Sequence, residues 1–164
     1  MTRRVATTLE ELPDAQDILS RSGLDFMRDV IAGRLAGPPI AVTLGFWPTL
    51  AEPGRVIFEG APGFNATNPM SGVHGGWYGA ILDSCMACAV MTILDKGQTY
   101  TTLEYKVNIT RAIPLDTPVR ATGTVQHSGR STAVARGELR GTTDDRLYAT
   151  GSTTCLILQP AAPC

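Results

Sequence analysis

The feature that most constrains the fold is the run from Trp77 to Asp95, WYGAILDSCMACAVMTILD, which lacks proline and has glycine only at Gly79. As a helix it is apolar on nearly every side, the pattern of a helix buried all round rather than one resting on a surface by a single stripe. It is short for a membrane span and carries Asp83 in its middle. A carboxylate set among Ala80, Ile81, Leu82, Cys85, Met86 and Ala87 must be paired, protonated or used in chemistry. Ahead of the run stands NPMSGVHGG, Asn68 to Gly76, a string of turn and helix-starting signals.

That order poses a geometric problem. Gly75 and Gly76 open the helix, so their N–H groups point outward at the positive end of its dipole, where an anion or a polarised carbonyl oxygen binds. Asp83 follows eight residues after Gly75, roughly 12 Å along an α-helix. One helix cannot bring both groups to one small substrate group. Two antiparallel copies can, which predicts a composite site in a symmetric homodimer or homotetramer.

The constellation N-x(5)-HGG-x(6)-D, formed by Asn68, His74, Gly75, Gly76 and Asp83, resembles the hotdog-fold acyl-CoA thioesterases. It is most similar to the phenylacetate-degradation-type branch of the 4-hydroxybenzoyl-CoA thioesterase superfamily. The likeness extends from about Ala41 to Leu158. It implies hydrolysis of an aryl or short- to medium-chain acyl-CoA, with CoA as part of the substrate, no separate cofactor and no metal. By resemblance Asp83 is general base or nucleophile, and the Gly75 N–H is the oxyanion donor. His74 is a catalytic candidate that opens the helix, holds the loop and contacts the thioester, with direct proton transfer as the alternative. Asn68 orients water or the carbonyl unless it merely forms an Asx turn. Thr102 matches a position where related enzymes hold water with a hydroxyl. Strand alternation sets it on the face opposite Leu103, Tyr105, Val107 and Ile109 unless a bulge intervenes, with Thr101 its competitor. Gly129, Arg130 and Ser131 resemble the segment near the CoA phosphates, Arg130 as a bidentate partner and the turn as a source of N–H donors. The acyl pocket is expected among central-helix residues, Trp77, Tyr78 and the N-terminal helix.

The flanking sequence fits an α+β fold, an antiparallel sheet wrapped round one long helix. Strands are expected at 40–47, 55–59, 99–112, 117–128, 131–141 and 146–158. Residues 1–39 read as a helical extension before a thioesterase domain over 40–164. Within it, Ser22-Gly-Leu-Asp25 resembles a capping box for a helix presenting Phe26, Met27, Val30, Ile31 and Leu35 and ending near Gly37. Net charge is −1 with scattered basic residues, so no nucleic-acid or membrane footprint is visible, and a cytoplasmic location is expected. Of the four cysteines, Cys85 and Cys88 fall mid-helix and read as small core residues, and Cys155 and Cys164 complete no disulfide framework. Two rivals remain. A hotdog hydratase or dehydratase would use a catalytic histidine facing an acidic helix residue, or an Asp-x(4)-His pair. His74 and His127 are the only histidines, and neither stands five residues after an aspartate. A non-catalytic acyl-CoA sensor would have no use for a carboxylate at the reaction centre.

Overall fold

The computed structural model describes residues 3–159. The chain forms α1 (Ala15–Leu19), α2 (Gly23–Ile31), α3 (Ile40–Leu44), β1 (Phe46–Glu52), β2 (Arg55–Gly60), α4 (Gly75–Met91), β3 (Thr99–Ile109), β4 (Val119–Ser128), β5 (Thr132–Gly141) and β6 (Leu147–Leu158). The strands make one antiparallel sheet in the order β1-β2-β4-β5-β6-β3. It wraps around α4, as the sequence implied. Ile81, Leu82, Cys85, Met86, Ala89 and Val90 of α4 are fully buried. No helix among the described residues is long and apolar enough to cross a membrane.

The helix can sit this deep because the sheet offers a trough. Gly123 pairs with Gly137 across β4–β5, and Gly137 with Gly151 across β5–β6, so three glycines lie in one row under the helix. A Cβ at Gly123 would stand 2.1 Å from the Cys85 carbonyl oxygen. One at Gly137 would meet Met86 Cγ at 2.9 Å and Leu82 Cδ2 at 3.0 Å. Glycine within a strand marks such a close approach.

Two elements differ from expectation. Residues 40–44 are helical, and the first strand starts at Phe46. Pro39 already has helical φ of −61° as N-cap, and Gly45, left-handed at φ 70°, terminates the turn and admits the strand. α2 ends at Ile31, short of Leu35, because Gly33 at φ 75° breaks it. The last four strands appear where expected to within a few residues, but β3 lies beside β6 at the far edge, so only β4-β5-β6 is a meander. Pro48 is tolerated in β1 because that strand is the opposite edge.

The N-terminal helices are docked by backbone. Ser22 caps α2 by accepting from the Asp25 N–H at 3.2 Å. The Gly23 N–H donates to the Leu94 carbonyl at 3.0 Å, and the Gly97 N–H to the Leu19 carbonyl at 3.0 Å. A Cβ on Gly23 would stand 1.8 Å from the Met91 carbonyl oxygen. Asp29 ties the segment together by accepting from both Arg21 and Arg34.

The trough makes a graded prediction. Gly123→Ala should cost about 3 kcal/mol, because backbone on both sides must part. Gly137→Ala should cost less, since it meets only movable side-chain atoms. Urea midpoints at unchanged m-value read the order; equal and small shifts would mean that the helix is not seated on these glycines.

Candidate functional site

Helix α4 begins where the sequence places it. His74 is the N-cap, its Nδ1 accepting from the Gly76 N–H at 2.9 Å. That bond leaves Nδ1 occupied by backbone and fits a helix-opening role rather than proton transfer. Among the described residues the Gly75 N–H has no hydrogen-bond partner, and Gly75 is exposed. Asn68 is spent on its own loop: Oδ1 accepts from the Met70 N–H at 2.9 Å and the Gly72 N–H at 3.1 Å. This is the Asx-turn alternative, and it leaves the amide nitrogen as the group able to reach out.

From Gly75 the helix presents one stripe toward β3 at intervals of four, the spacing that keeps residues on one face. Ile109 Cδ1 lies 3.6 Å from where a Cβ on Gly75 would be, and the Tyr105 hydroxyl 3.3 Å from one on Gly79. At Asp83, Thr102 Oγ1 donates to Oδ1 in a long bond of 3.4 Å. Thr102 reaches the carboxylate because the β3–β6 register slips between Thr102 and Glu104. The bulge reconciles the hydroxyl with the alternation that opposed it, and Thr101 stays exposed. The Gly75–Gly79–Asp83 spacing was available in the sequence as a sign that the strand beside the helix would meet it there.

Asp83 is half-buried. Burial pushes its carboxyl above the ordinary carboxylate range, and the Thr102 bond pulls back only in part. It stands in the wall of a mostly apolar cavity of about 430 Å³, whose lining also includes Ser84, Cys88, Tyr100, Thr102 and residues of the N-terminal helices. Cys88, through burial and then the Asp83 charge, has its thiol pushed up to about 12, which makes it a poor nucleophile. Cys85 is fully buried; Cys164 lies outside the described residues.

Trp77 and Tyr78 do not line this cavity. The Trp77 indole N–H donates to the Leu44 carbonyl at 2.8 Å, and the Tyr78 hydroxyl accepts from the Ile113 N–H at 2.8 Å. Both rings are buried at the start of α4 and fix the segments entering and leaving the sheet. The 128–131 turn forms as expected, with Gly129, Arg130 and Ser131 exposed. The Gly129 N–H, though, donates to the Thr132 carbonyl at 2.8 Å and is not a free phosphate donor. Arg130 makes no ion pair among the described residues.

The architecture of a sheet wrapped round one long helix has counterparts among known proteins. The thioesterase superfamily model matches residues 70–148, a span that holds Gly75, Asp83, Thr102 and the 128–131 turn. This is the hotdog fold of the thioesterases. Of the solved structures, a thioesterase family protein from Silicibacter pomeroyi superposes with TM-score 0.73 at 25% identity, over 84% of this chain and 99% of that one. A phenylacetic acid degradation-related protein from Ralstonia eutropha JMP134 gives TM-score 0.72 at 26% identity, over 80% and 98%. A hypothetical thioesterase protein from Streptococcus pneumoniae TIGR4, solved with coenzyme A, gives 0.66 at 20% identity, over 73% and 91%, and shares the fold. No curated protein matches the chain. The hotdog resemblance read from Asn68 to Asp83 therefore holds for the fold, and the family match begins at Met70, beyond the N-terminal helices.

The position of Asp83 carries a sign for pH and stability. Its native carboxyl holds the proton to higher pH than an unfolded one, so its ionisation costs stability as pH rises past the ordinary carboxylate value of 3.8. Asp83→Asn should therefore melt higher than wild type at neutral pH and lose that advantage in acid. Thr102→Val removes the bond that lowers the carboxyl, so any activity that needs the carboxylate should have its acid limb moved to higher pH. A limb unmoved by Thr102→Val would separate the two residues functionally.

Proposed function

We propose that the protein is an acyl-CoA thioesterase acting on aryl or short- to medium-chain acyl-CoA. It works as a homo-oligomer whose sites each join Asp83 and Thr102 of one copy to the Gly75 N–H of another. The observation that carries this reading is Asp83 itself: a half-buried carboxylate, with one long bond to Thr102, in the wall of an apolar cavity. A folded chain keeps so costly a group where chemistry uses it.

In this scheme a water donates a hydrogen bond to Asp83, which takes its proton as the water oxygen attacks the thioester carbonyl carbon. The carbonyl π electrons move to oxygen. That oxyanion is held by the Gly75 N–H and the positive end of α4. Collapse breaks the C–S bond, and the leaving CoA thiolate takes the proton from Asp83, giving free acid and CoA. A carboxyl raised by burial is the better base. Direct attack by Asp83, through an anhydride, needs the same groups. CoA is part of the substrate, and the scheme uses neither metal nor cofactor. Arg130 at its exposed hairpin tip is the proposed phosphate partner, with Gly129 shaping the turn and Ser131 beside it.

The joint site follows from the eight-residue gap between Gly75 and Asp83, and β3 offers the contact. It is an edge strand of eleven residues, with Leu103, Tyr105 and Ile109 exposed at 57%, 48% and 50%. A long apolar edge invites pairing with another copy. Its side chains overlie the Gly75–Asp83 stripe, so a copy seated there brings a second helix mouth alongside.

Proline is well tolerated at the first helical position and removes the N–H, and His74 already has the extended ψ of 137° that a following proline requires. Gly75→Pro should thus keep the helix and lose about 100- to 1000-fold in kcat/KM. Asp83→Asn should lose about 100- to 10,000-fold. Unfolding and remixing the two inactive variants should restore roughly a quarter of wild-type activity, since random pairing leaves that share of shared sites intact. A mixture that stays inactive would place both groups within one copy. A wild-type protein that turns over no aryl or aliphatic acyl-CoA would end the thioesterase reading.

A further inference from the structure

The N-terminal segment does more than decorate the sheet. The cavity that holds Asp83 and Thr102 is lined as well by Ile18 of α1 and by Phe26, Met27 and Val30 of α2. The cavity is partly open to solvent, and at about 430 Å³ it has the size of a small-molecule site. Its polar groups gather near Asp83, on α4 and β3, while the side chains from α1 and α2 are apolar. Such a space suits a ligand with one reactive polar group and a hydrocarbon remainder.

We propose that α1 and α2 are the acyl-selecting element of the protein: the thioester carbonyl sits by Asp83, and the acyl chain runs under Ile18, Phe26, Met27 and Val30. This rests on the thioesterase reading and specifies its substrate. A space of about 430 Å³ lies within the range of small-molecule sites and suits an octanoyl or phenylacetyl group better than a palmitoyl chain. The element has a fixed position: α2 is seated on the end of α4 through Gly23, so its apolar face stands at a set height above Asp83. Phe26, Met27 and Val30 all come from the one short helix α2, so single substitutions there change the depth of the cavity without touching α4.

The test is a chain-length profile over acetyl-, octanoyl-, phenylacetyl- and palmitoyl-CoA. Burial of each methylene supports up to about a fourfold gain in kcat/KM, so wild type should favour octanoyl over acetyl by at least about tenfold and fall again at palmitoyl. Val30→Trp, which fills the cavity, should lower the octanoyl-to-acetyl ratio by about tenfold or more. Phe26→Ala, which enlarges it, should raise the palmitoyl-to-octanoyl ratio. Two variants of opposite sign keep the test open if one fails to fold. Ratios that stay at wild-type values in both variants, with hydrolysis intact, would overturn the proposal and leave the thioesterase reading standing. The converse is read by titrating octanoyl-CoA into Asp83→Asn with and without Val30→Trp. Weaker binding on adding Val30→Trp supports the acyl pocket even where no hydrolysis is found, and unchanged binding overturns it.

Discussion

The contact on which the structure depends is the seat of α4 on the row of Gly123, Gly137 and Gly151. An apolar helix has no preferred orientation of its own, because any side can face the core. The glycines supply one. They admit the Cys85 carbonyl and the Leu82 and Met86 side chains, so the rotation of the helix is set at Leu82–Met86. Once that is fixed, the Gly75–Gly79–Asp83 stripe can only face β3. The direction of the carboxylate is thus decided by residues that never touch it.

Strand order completes the placement. With β3 beside β6 rather than beside β4, the strand nearest Asp83 is also an edge. A central strand would have covered the carboxylate from both sides and left no room for substrate or for a second copy. An edge strand supplies one hydroxyl, from Thr102, and leaves the far side open. The bulge at Leu103 belongs to the same arrangement: it lets Thr102 turn to the helix while Tyr105 and Ile109 still lie over Gly79 and Gly75. The cost is borne in stability, since Asp83 is desolvated with one long hydrogen bond in return.

Much of this was legible in the residues, and the failures have physical causes. The helix start at Gly75, the burial of the run behind it and the last four strands follow from local periodicity and turn chemistry, and the local pattern agrees with the final packing. Residues 40–47 misled because Ile, Val and Leu beside a β-branched threonine suit a strand or a buried turn of helix equally. The choice lay in Pro39 and Gly45 at the ends. Thr102 resisted because a bulge is set by two strands at once, and one strand's alternation does not contain it. Trp77 and Tyr78 were placed in the pocket on their aromatic character; their N–H and O–H groups instead bind backbone at Leu44 and Ile113, partners separated from them by more than thirty residues. The Gly129 N–H was lost to a local bond instead, to the Thr132 carbonyl of its own hairpin. Asn68 sits between these cases, with both its Asx turn and its spare amide foreseeable.

The division of labour between the two parts of the chain has a physical logic. In the proposed reaction, groups that act on the thioester must be held within fractions of an ångström, and the proposed ones lie on α4 and β3, which the glycine trough and the sheet ladder fix. Groups that would select the acyl chain need only present apolar surface at a given depth. Those lie on α1 and α2, fixed by a few backbone bonds at Leu19 and Gly23 and by the two arginines on Asp29. Burial tends to raise the Asp29 carboxyl, but the hydrogen bonds and charges of Arg34 and Arg21 outweigh it and hold it below the ordinary range. The tie therefore stays intact above the ordinary carboxylate value and is lost only as pH falls through the lowered native one. Over the range in which Asp83 passes from acid to base, the wall above it keeps its place. Under the proposed scheme the pocket can then change protonation at its reactive end without changing shape at its selective end, and substitution in α1 or α2 would alter which chain fits without disturbing the group proposed to act on it.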